Sequence, residues 1–300
     1  MKIIPNFFVV GGPKCGTTAM VEFLRTHPDI FISEPKEPNF LADDMPEMKF
    51  VDTLKDYLNL FKKAKNYKII GDASIFYMVS GTAIKNIKEL NPESRLLLMI
   101  RNPIEMVSSF HQQILFTLDE DQSNFETALD LEPQRNIGKE IPKNCRSIKL
   151  LKYSQIAKYG NQLENIFKYF PREKVKIILF DDFKSDNRKS YLEVLEFLSL
   201  NDDGRVDFPR INDAKKAKNK LINRIVNRPP EFTKKLAIFA RKILNKPRLG
   251  MLNKLDHLNR AKLEKQPITE SEKEKLINLY INDIRKTEKI LNRDLSLWIS

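Results

Sequence analysis

Cysteine, histidine, tryptophan and glycine are all scarce in this chain, with 2, 3, 1 and 9 copies in 300 residues. Two cysteines, Cys15 and Cys145, with no CxxC pair between them, exclude a disulfide framework and a thiolate zinc site and fit a reducing compartment. So few glycines exclude a collagen-like or Gly-rich low-complexity chain. No apolar run approaches the roughly 20 residues that span a bilayer. The start, MKIIPNFFVVGGPK, is broken at Pro5 and Asn6, too early for the apolar region of a signal peptide. A cytoplasmic protein is therefore expected. Charge, by contrast, is plentiful at 31% of residues, beside 41% hydrophobic residues, enough for a real core in a chain of this length.

The formal net charge is +12, and it is localised. Residues 210–265 hold 17 Lys and Arg against 4 Asp and Glu, whereas the remainder holds 35 against 36. Such an excess attracts something anionic: nucleic acid, a membrane surface, or a phosphorylated or sulfated small molecule. No zinc-finger or RNA-binding signature is present and the aromatics are not interleaved with the basic residues, so nucleic acid is not expected.

The apolar run 7–10 ends in Gly11-Gly12-Pro13 and is followed by helical spacing over 17–24, which reads as strand, turn and helix. Further apolar runs at 68–71, 95–100 and 175–180 read as strands, that at 95–100 continuous as in a strand covered on both faces. Helical patterns occupy 50–63, 80–90, 104–118, 154–170, 191–198 and 269–291. The alternation predicts an α/β fold, a P-loop-like central parallel sheet flanked by helices, with a helical C-terminal extension. The expected organisation is one domain over 1–300: an α/β core to 209, a basic helical segment over 210–265, then a C-terminal helix and tail.

Gly11-Gly12-Pro13-Lys14-Cys15-Gly16-Thr17-Thr18 lies between the first strand and first helix, where open backbone amides and the helix dipole cradle an anion. In a Walker loop the lysine directly follows the second glycine. Here Thr17 holds that place and Lys14 precedes Gly16 by two, which argues against a magnesium-bound nucleoside triphosphate.

With this loop and two later blocks, the chain resembles the sulfotransferases that use 3′-phosphoadenosine 5′-phosphosulfate (PAPS), particularly the bacterial and carbohydrate-modifying branch. PKCGTTAMVEFLRTHPDIF is similar to the family's 5′-phosphosulfate loop and first helix, and ISEPKEPNFL to the segment carrying its acidic catalytic residue. LLLMIRNPIEMVSSF is similar to its 3′-phosphate motif: a strand ending in Arg, then Asn or Asp and Pro, with Ser eight residues after the Arg. Weaker similarity continues in YGNQLENIFKYFPREKVKIILFDDF and LNRDLSLWIS.

The resemblance implies metal-free sulfuryl transfer from PAPS to a hydroxyl or amine of a glycan, glycolipid or related acceptor. It gives Glu37 the role of general base and Lys14 that of stabilising the departing phosphate. Cys15, Gly16, Thr17 and Thr18 would hold the 5′-phosphate, and Arg101 and Ser109 the 3′-phosphate. Asn212, Lys215 and Lys216, in FPRINDAKKAKN, would close over the adenosine and 3′-phosphate. Lys36, Asn39, Ser74 and Tyr159 would face the acceptor, Asn39 standing where some relatives have His. Asp72-Ala73-Ser74 matches a segment in which relatives often carry an acidic residue, and Ala73 removes a lysine contact found there. His111 is the alternative base, as in the cytosolic small-molecule branch.

On the residues alone, plainer readings stay open. Lys14, Lys36 and Glu37 also fit solvated surface charges, Arg101 and Ser109 local helix contacts, and Tyr159 a structural tyrosine. Over 231–245, Phe232, Leu236, Phe239 and Ile243 recur at helical spacing between basic residues. Such a helix either lies peripherally on the inner membrane face or covers the protein's own core. Two other functions remain beside the sulfotransferase reading: a P-loop kinase, and a non-catalytic protein that keeps a phosphate cradle and binds membrane or polyanion.

Overall fold

The computed structural model describes residues 3–211 and 268–299, and the backbone alone of 215–217 and 260–262. The chain forms two compact units, one of Met1–Val107, Ser154–Asn212 and Glu270–Ser300, the other of Ser108–Tyr153 and Asp213–Thr269.

The first unit is built on five strands: β1 (Phe7–Gly11), β2 (Ile30–Ile32), β3 (Ile69–Ala73), β4 (Arg95–Ile100) and β5 (Val175–Leu179). Their order is β2-β3-β1-β4-β5 and every pairing is parallel, with Phe7 opposite both Gly71 and Arg95. Phe7 to Val10 and Leu96 to Ile100 are wholly buried, which is why these two runs are apolar at every position. β2 escapes the sequence pattern because three residues, Ile30 to Ile32, are too few to show a period.

Helices α1 (Thr17–Arg25), α2 (Leu54–Asn59) and α3 (Ala83–Leu90) connect the first four strands. The helix expected over 50–63 is trimmed to α2 because the Thr53 side chain accepts from Asp56 N at 3.1 Å and caps it there. From β1 the chain runs toward β2 and β3, whereas from β4 it runs toward β5. The crevice at the C-terminal ends of β1 and β4 is thus the topological switch point, where open α/β sheets bind ligands.

α4 (Pro103–Phe116) follows β4 and runs on into the second unit, which also holds α5 (Phe125–Asp130) and α6 (Glu132–Asn136). Its core contains a buried ion pair, Arg135 gripping Glu120 with bonds of 2.7 and 2.8 Å, while the Tyr153 hydroxyl donates to the same carboxylate at 2.7 Å. The segment read as basic and helical contributes two short antiparallel strands, β6 (Lys215–Ala217) and β7 (Arg260–Lys262). Asn212, the side chains of Lys215 and Lys216, and the amphipathic stretch 231–245 lie outside the described residues.

The pattern over 154–170 resolves into α7 (Tyr153–Ile156) and α8 (Tyr159–Phe167); α9 (Phe180–Ser185) and α10 (Asn187–Phe197) follow β5, and α11 (Glu270–Leu291) is the C-terminal helix. Asp283 of α11 caps α8 from outside, accepting from Gly160 N at 2.9 Å and Asn161 N at 3.1 Å. A Cβ at Gly160 would lie 2.8 Å from Lys286 Cγ and Cδ, so glycine is what lets the two helices approach. Asp283→Ala should therefore cost about 1–3 kcal/mol, by loss of the cap and exposure of two orphan amides. Thermal unfolding would read this as a melting temperature several degrees lower; an unchanged midpoint would show that α11 does not hold α8. Among the described residues no helix is long and apolar enough to cross a membrane.

Candidate active site

The turn after β1 is tied to the neighbouring strand, Gly12 N donating to Met99 O at 2.7 Å. A Cβ at Gly12 would sit 3.3 Å from both Met99 O and Cys15 Sγ. Gly16 takes φ 86° as the N-cap of α1, and a Cβ there would press on Phe180 and Phe183 at 3.1 Å. With glycine at the cap no side chain closes the first turn, so its amides are left to an anion. Thr17, buried, and Thr18, half-buried, begin the helix.

Cys15 is buried beneath this turn, its thiol 3.2 Å from Pro13 O and 3.8 Å from the Tyr159 hydroxyl. Burial pushes the thiol up to about 12, against the pull of Tyr159, Arg101 and Lys14, so its chemistry is that of a packing group. Tyr159 was expected to face the acceptor; it is 1% exposed, with its ring edge-on to Trp298 at 6.3 Å. Surrounded in this way, it supports the turn from below and presents no face to a substrate.

The 33–39 segment, which leaves β2, comes back to the start of α1. Lys36 Nζ donates to Glu37 Oε1 at 2.7 Å and to Thr18 Oγ1 at 3.3 Å, which gathers three of the expected site residues. The Glu37 amide donates to Ala73 O at 3.0 Å, anchoring the segment to the end of β3. Lys14, Glu37 and Asn39 have φ of 59°, 65° and 50°. Asn tolerates this left-handed region, but for Lys and Glu it costs on the order of 1–2 kcal/mol each, a strain typical of sites where side-chain aim matters more than stability.

Asn39 and Ser74 were expected to contact the acceptor, and both point inward. The Asn39 amide side chain donates to Glu37 O at 3.0 Å and Met48 O at 3.3 Å, while its backbone N donates to Ser74 Oγ at 3.0 Å. Ser74, fully buried, donates in turn to Asp72 Oδ1 at 2.7 Å. Asp72 is also fully buried, and its Oδ2 accepts from Tyr57 and Tyr77 hydroxyls, each at 2.8 Å. No salt bridge to Asp72 occurs among the described residues. Burial raises its carboxyl from the usual 3.8 to about 6, against the three hydroxyls that lower it, and the Glu37 charge adds a smaller push. The folded chain thus holds this proton more tightly than the unfolded one. The resulting stabilisation is complete below the unfolded value and is lost as pH rises toward 6, so the ionised form costs about 3 kcal/mol at neutral pH.

Arg101 stands at the end of β4, 8% exposed, with its guanidinium 4.7 Å from the Phe180 ring centre. Its Nε donates to Glu105 Oε2 at 3.0 Å, and a terminal nitrogen pairs with the same oxygen. Asn102 shapes the turn between them: its Oδ1 accepts from Ile104 N at 3.0 Å, and its Nδ2 donates to Trp298 O at 3.4 Å. Ser109 lies half-exposed on α4, in the second unit. His111, also in that unit, is wholly buried between the rings of Phe125 and Tyr153, at 5.1 and 5.9 Å, with Nε2 2.8 Å from Gln122 O. An imidazole enclosed by aromatic rings and a main-chain carbonyl is a core group, which removes it as the alternative base.

A family model described as the sulfotransferase domain matches residues 5–220. The chain belongs to the sulfotransferase family. Carbohydrate sulfotransferase 15 of Rattus norvegicus is 25% identical, over 67% of this chain and 44% of its own length. Heparan sulfate glucosamine 3-O-sulfotransferase 3B1 of Homo sapiens is also 25% identical, over 66% of this chain and 47% of its own length. The chain therefore spans under half the length of these curated relatives. Among solved structures, a sulfotransferase from Alicyclobacillus acidocaldarius superimposes with a TM-score of 0.71 at 22% identity, covering 99% of this chain and 100% of its own. That likeness fixes the fold of the chain as the parallel α/β architecture expected from its strands and helices.

Two residues of the site had no role in the sequence reading: Phe180 and Glu105. Phe180 opens α9 at the C-terminal end of β5, so the strand-end rule alone could have pointed to it. Glu105 sits four residues after Arg101 at the start of a helix, the spacing of a side-chain pair.

Proposed function

We propose that this sulfotransferase moves a sulfuryl group from PAPS to a hydroxyl or amine of a glycan, glycolipid or related acceptor. The observation that carries the reading is the grouping at the switch point: the Lys14 turn after β1, Arg101 after β4, and Glu37 held by Lys36 beside Thr18. In the transfer, the acceptor oxygen or nitrogen forms a bond to sulfur while the bond from sulfur to the 5′-phosphate oxygen breaks. The bonding pair stays on the phosphate, and the acceptor proton passes to Glu37. Lys14 and the first-turn amides of α1 meet the charge that builds on the phosphate. Arg101 suits the 3′-phosphate because a guanidinium forms paired bonds to phosphate oxygens. Thr17, in the place of a Walker lysine, favours this donor over a magnesium-bound triphosphate. Release of adenosine 3′,5′-bisphosphate from PAPS, followed across a panel of unsulfated glycans, tests the proposal; magnesium-dependent phosphate transfer from ATP instead would replace it with a kinase.

The Arg101–Glu105 pair adds a prediction. A doubly charged 3′-phosphate must compete with an exposed carboxylate for the same guanidinium. Glu105→Gln should therefore bind the bisphosphate about 3- to 10-fold more tightly, on the scale of an exposed ion pair. Calorimetry reads this directly, and weaker binding would mean that Glu105 aims the guanidinium instead of occupying it.

A further inference from the structure

Asp72 is a buried carboxylate that the transfer itself does not use, kept where ionisation works against the fold. Its surroundings have a definite hydrogen count. Three hydroxyls point at it: Ser74 at Oδ1, and Tyr57 from α2 and Tyr77 from the turn after β3 at Oδ2. Because the Ser74 hydrogen is committed to Asp72, a lone pair of Ser74 Oγ is open to the Asn39 amide, which lies 3.0 Å away. Asn39 closes the loop by donating to Glu37 O, and Tyr77 accepts the Leu41 amide at 3.3 Å on the other side. The segment carrying Glu37, which has its backbone in the left-handed region, is thus pinned through two hydroxyls that both report to one carboxylate.

We propose that Asp72 is a positioning residue for the sulfuryl transfer: ionised, it orients Ser74 and Tyr77 so that they hold the 37–41 segment and aim the Glu37 carboxylate. The inference rests on the reading of Glu37 as the base. Protonation adds a fourth hydrogen to a cluster whose three hydroxyl hydrogens already take three of the carboxylate's roughly four acceptor positions. The new hydrogen belongs on Oδ1, which accepts one bond against two at Oδ2; the hydroxyl oxygen of a neutral carboxyl is a poor acceptor and a good donor, so the bond to Ser74 reverses. The serine must then turn its own hydrogen away, and its grip on Asn39 N weakens. Burial and the Asp72 charge hold both phenols well above their usual range, so Tyr57 and Tyr77 remain donors throughout. Besides these two tyrosines and Ser74, the charge acting on Asp72 is that of Glu37, and with Asp72 raised to about 6 the switch falls within a testable range.

Amide hydrogen exchange across 36–42, corrected for intrinsic rates and measured on the whole chain between pH 5 and 8, tests this together with bisphosphate release. In the wild type, protection at Asn39 should fall about tenfold as pH drops through 6, and the turnover number should fall with it while the KM for PAPS stays level. Asp72→Asn should lose the pH step in exchange and lower the turnover number at neutral pH without lowering the melting temperature. Ser74→Ala, a smaller change, should lack Asn39 protection at every pH. Equal protection of Asn39 at pH 5 and 8 in the wild type would overturn the inference, as would an Asp72→Asn variant with wild-type turnover and pH profile. Turnover that survives Glu37→Gln would overturn the assignment of the base, and the exchange result would then stand alone as a description of the loop.

Discussion

Glu37→Gln should lower sulfuryl transfer by about 10²- to 10⁴-fold, the usual worth of a positioned general base, while leaving the affinity for adenosine 3′,5′-bisphosphate unchanged. Gln matches the length and shape of Glu and retains an oxygen for Lys36, so the contact that draws the 33–39 segment toward Thr18 persists. What disappears is the capacity to take a proton near neutral pH. The separation of effects is diagnostic: a loss of donor binding equal to the loss of rate would mean that the substitution had displaced the loop. Bisphosphate release and calorimetry on the same preparation distinguish the two. His111 offers no replacement, enclosed as it is by Phe125, Tyr153 and the Gln122 carbonyl.

The second large effect is expected at Lys14. Lys14→Gly removes the ammonium proposed to meet charge on the departing phosphate and should reduce turnover about 10²- to 10³-fold, as loss of one preorganised donor does elsewhere. Its effect on stability should have the opposite sign. At φ 59° a lysine is strained and a glycine is not, so the variant should melt no lower than the parent and gain up to about 1 kcal/mol. Turnover and thermal unfolding, measured together, check this. A fall in stability with the fall in rate would show that Lys14 packs the turn, and full activity would remove it from the mechanism. Glu37 has the same kind of backbone, so the two residues given the chemical roles are also two whose local geometry is costly.

The sequence announces some of this architecture more loudly than the rest. β1 and β4 are legible because each is buried on both faces and thus apolar throughout. β2 is not, being three residues long, and the split between α7 and α8 leaves an uninterrupted apolar pattern. The turn from Gly11 to Thr18 is readable because its parts are contiguous: strand, glycines, lysine and helix start follow one another in the chain. Contacts that close the site over long separations are not. Arg101 on Phe180 and Asn39 on Ser74 depend on which strands become neighbours. His111 and Tyr159 show the converse limit, since a polar aromatic in a helical pattern reads alike whether it faces a cleft or is packed among other rings. In the sequence Asp72 shows only as an acidic residue in a segment where relatives often carry one; the arrival of Tyr57 from α2 and Tyr77 from the next turn is what reveals a buried carboxylate with three donors.

On the proposed function, the crevice at the ends of β1 and β4 holds the two phosphates of a PAPS-type nucleotide. Calorimetric titration of the whole chain with adenosine 3′,5′-bisphosphate, with and without magnesium and in parallel with Arg101→Ala, tests it most directly. The expected result is one saturable site, independent of magnesium and about 10- to 100-fold weaker in the variant, the worth of a charged bond to phosphate. No binding by the wild type, or binding that requires magnesium and prefers ATP, would contradict it.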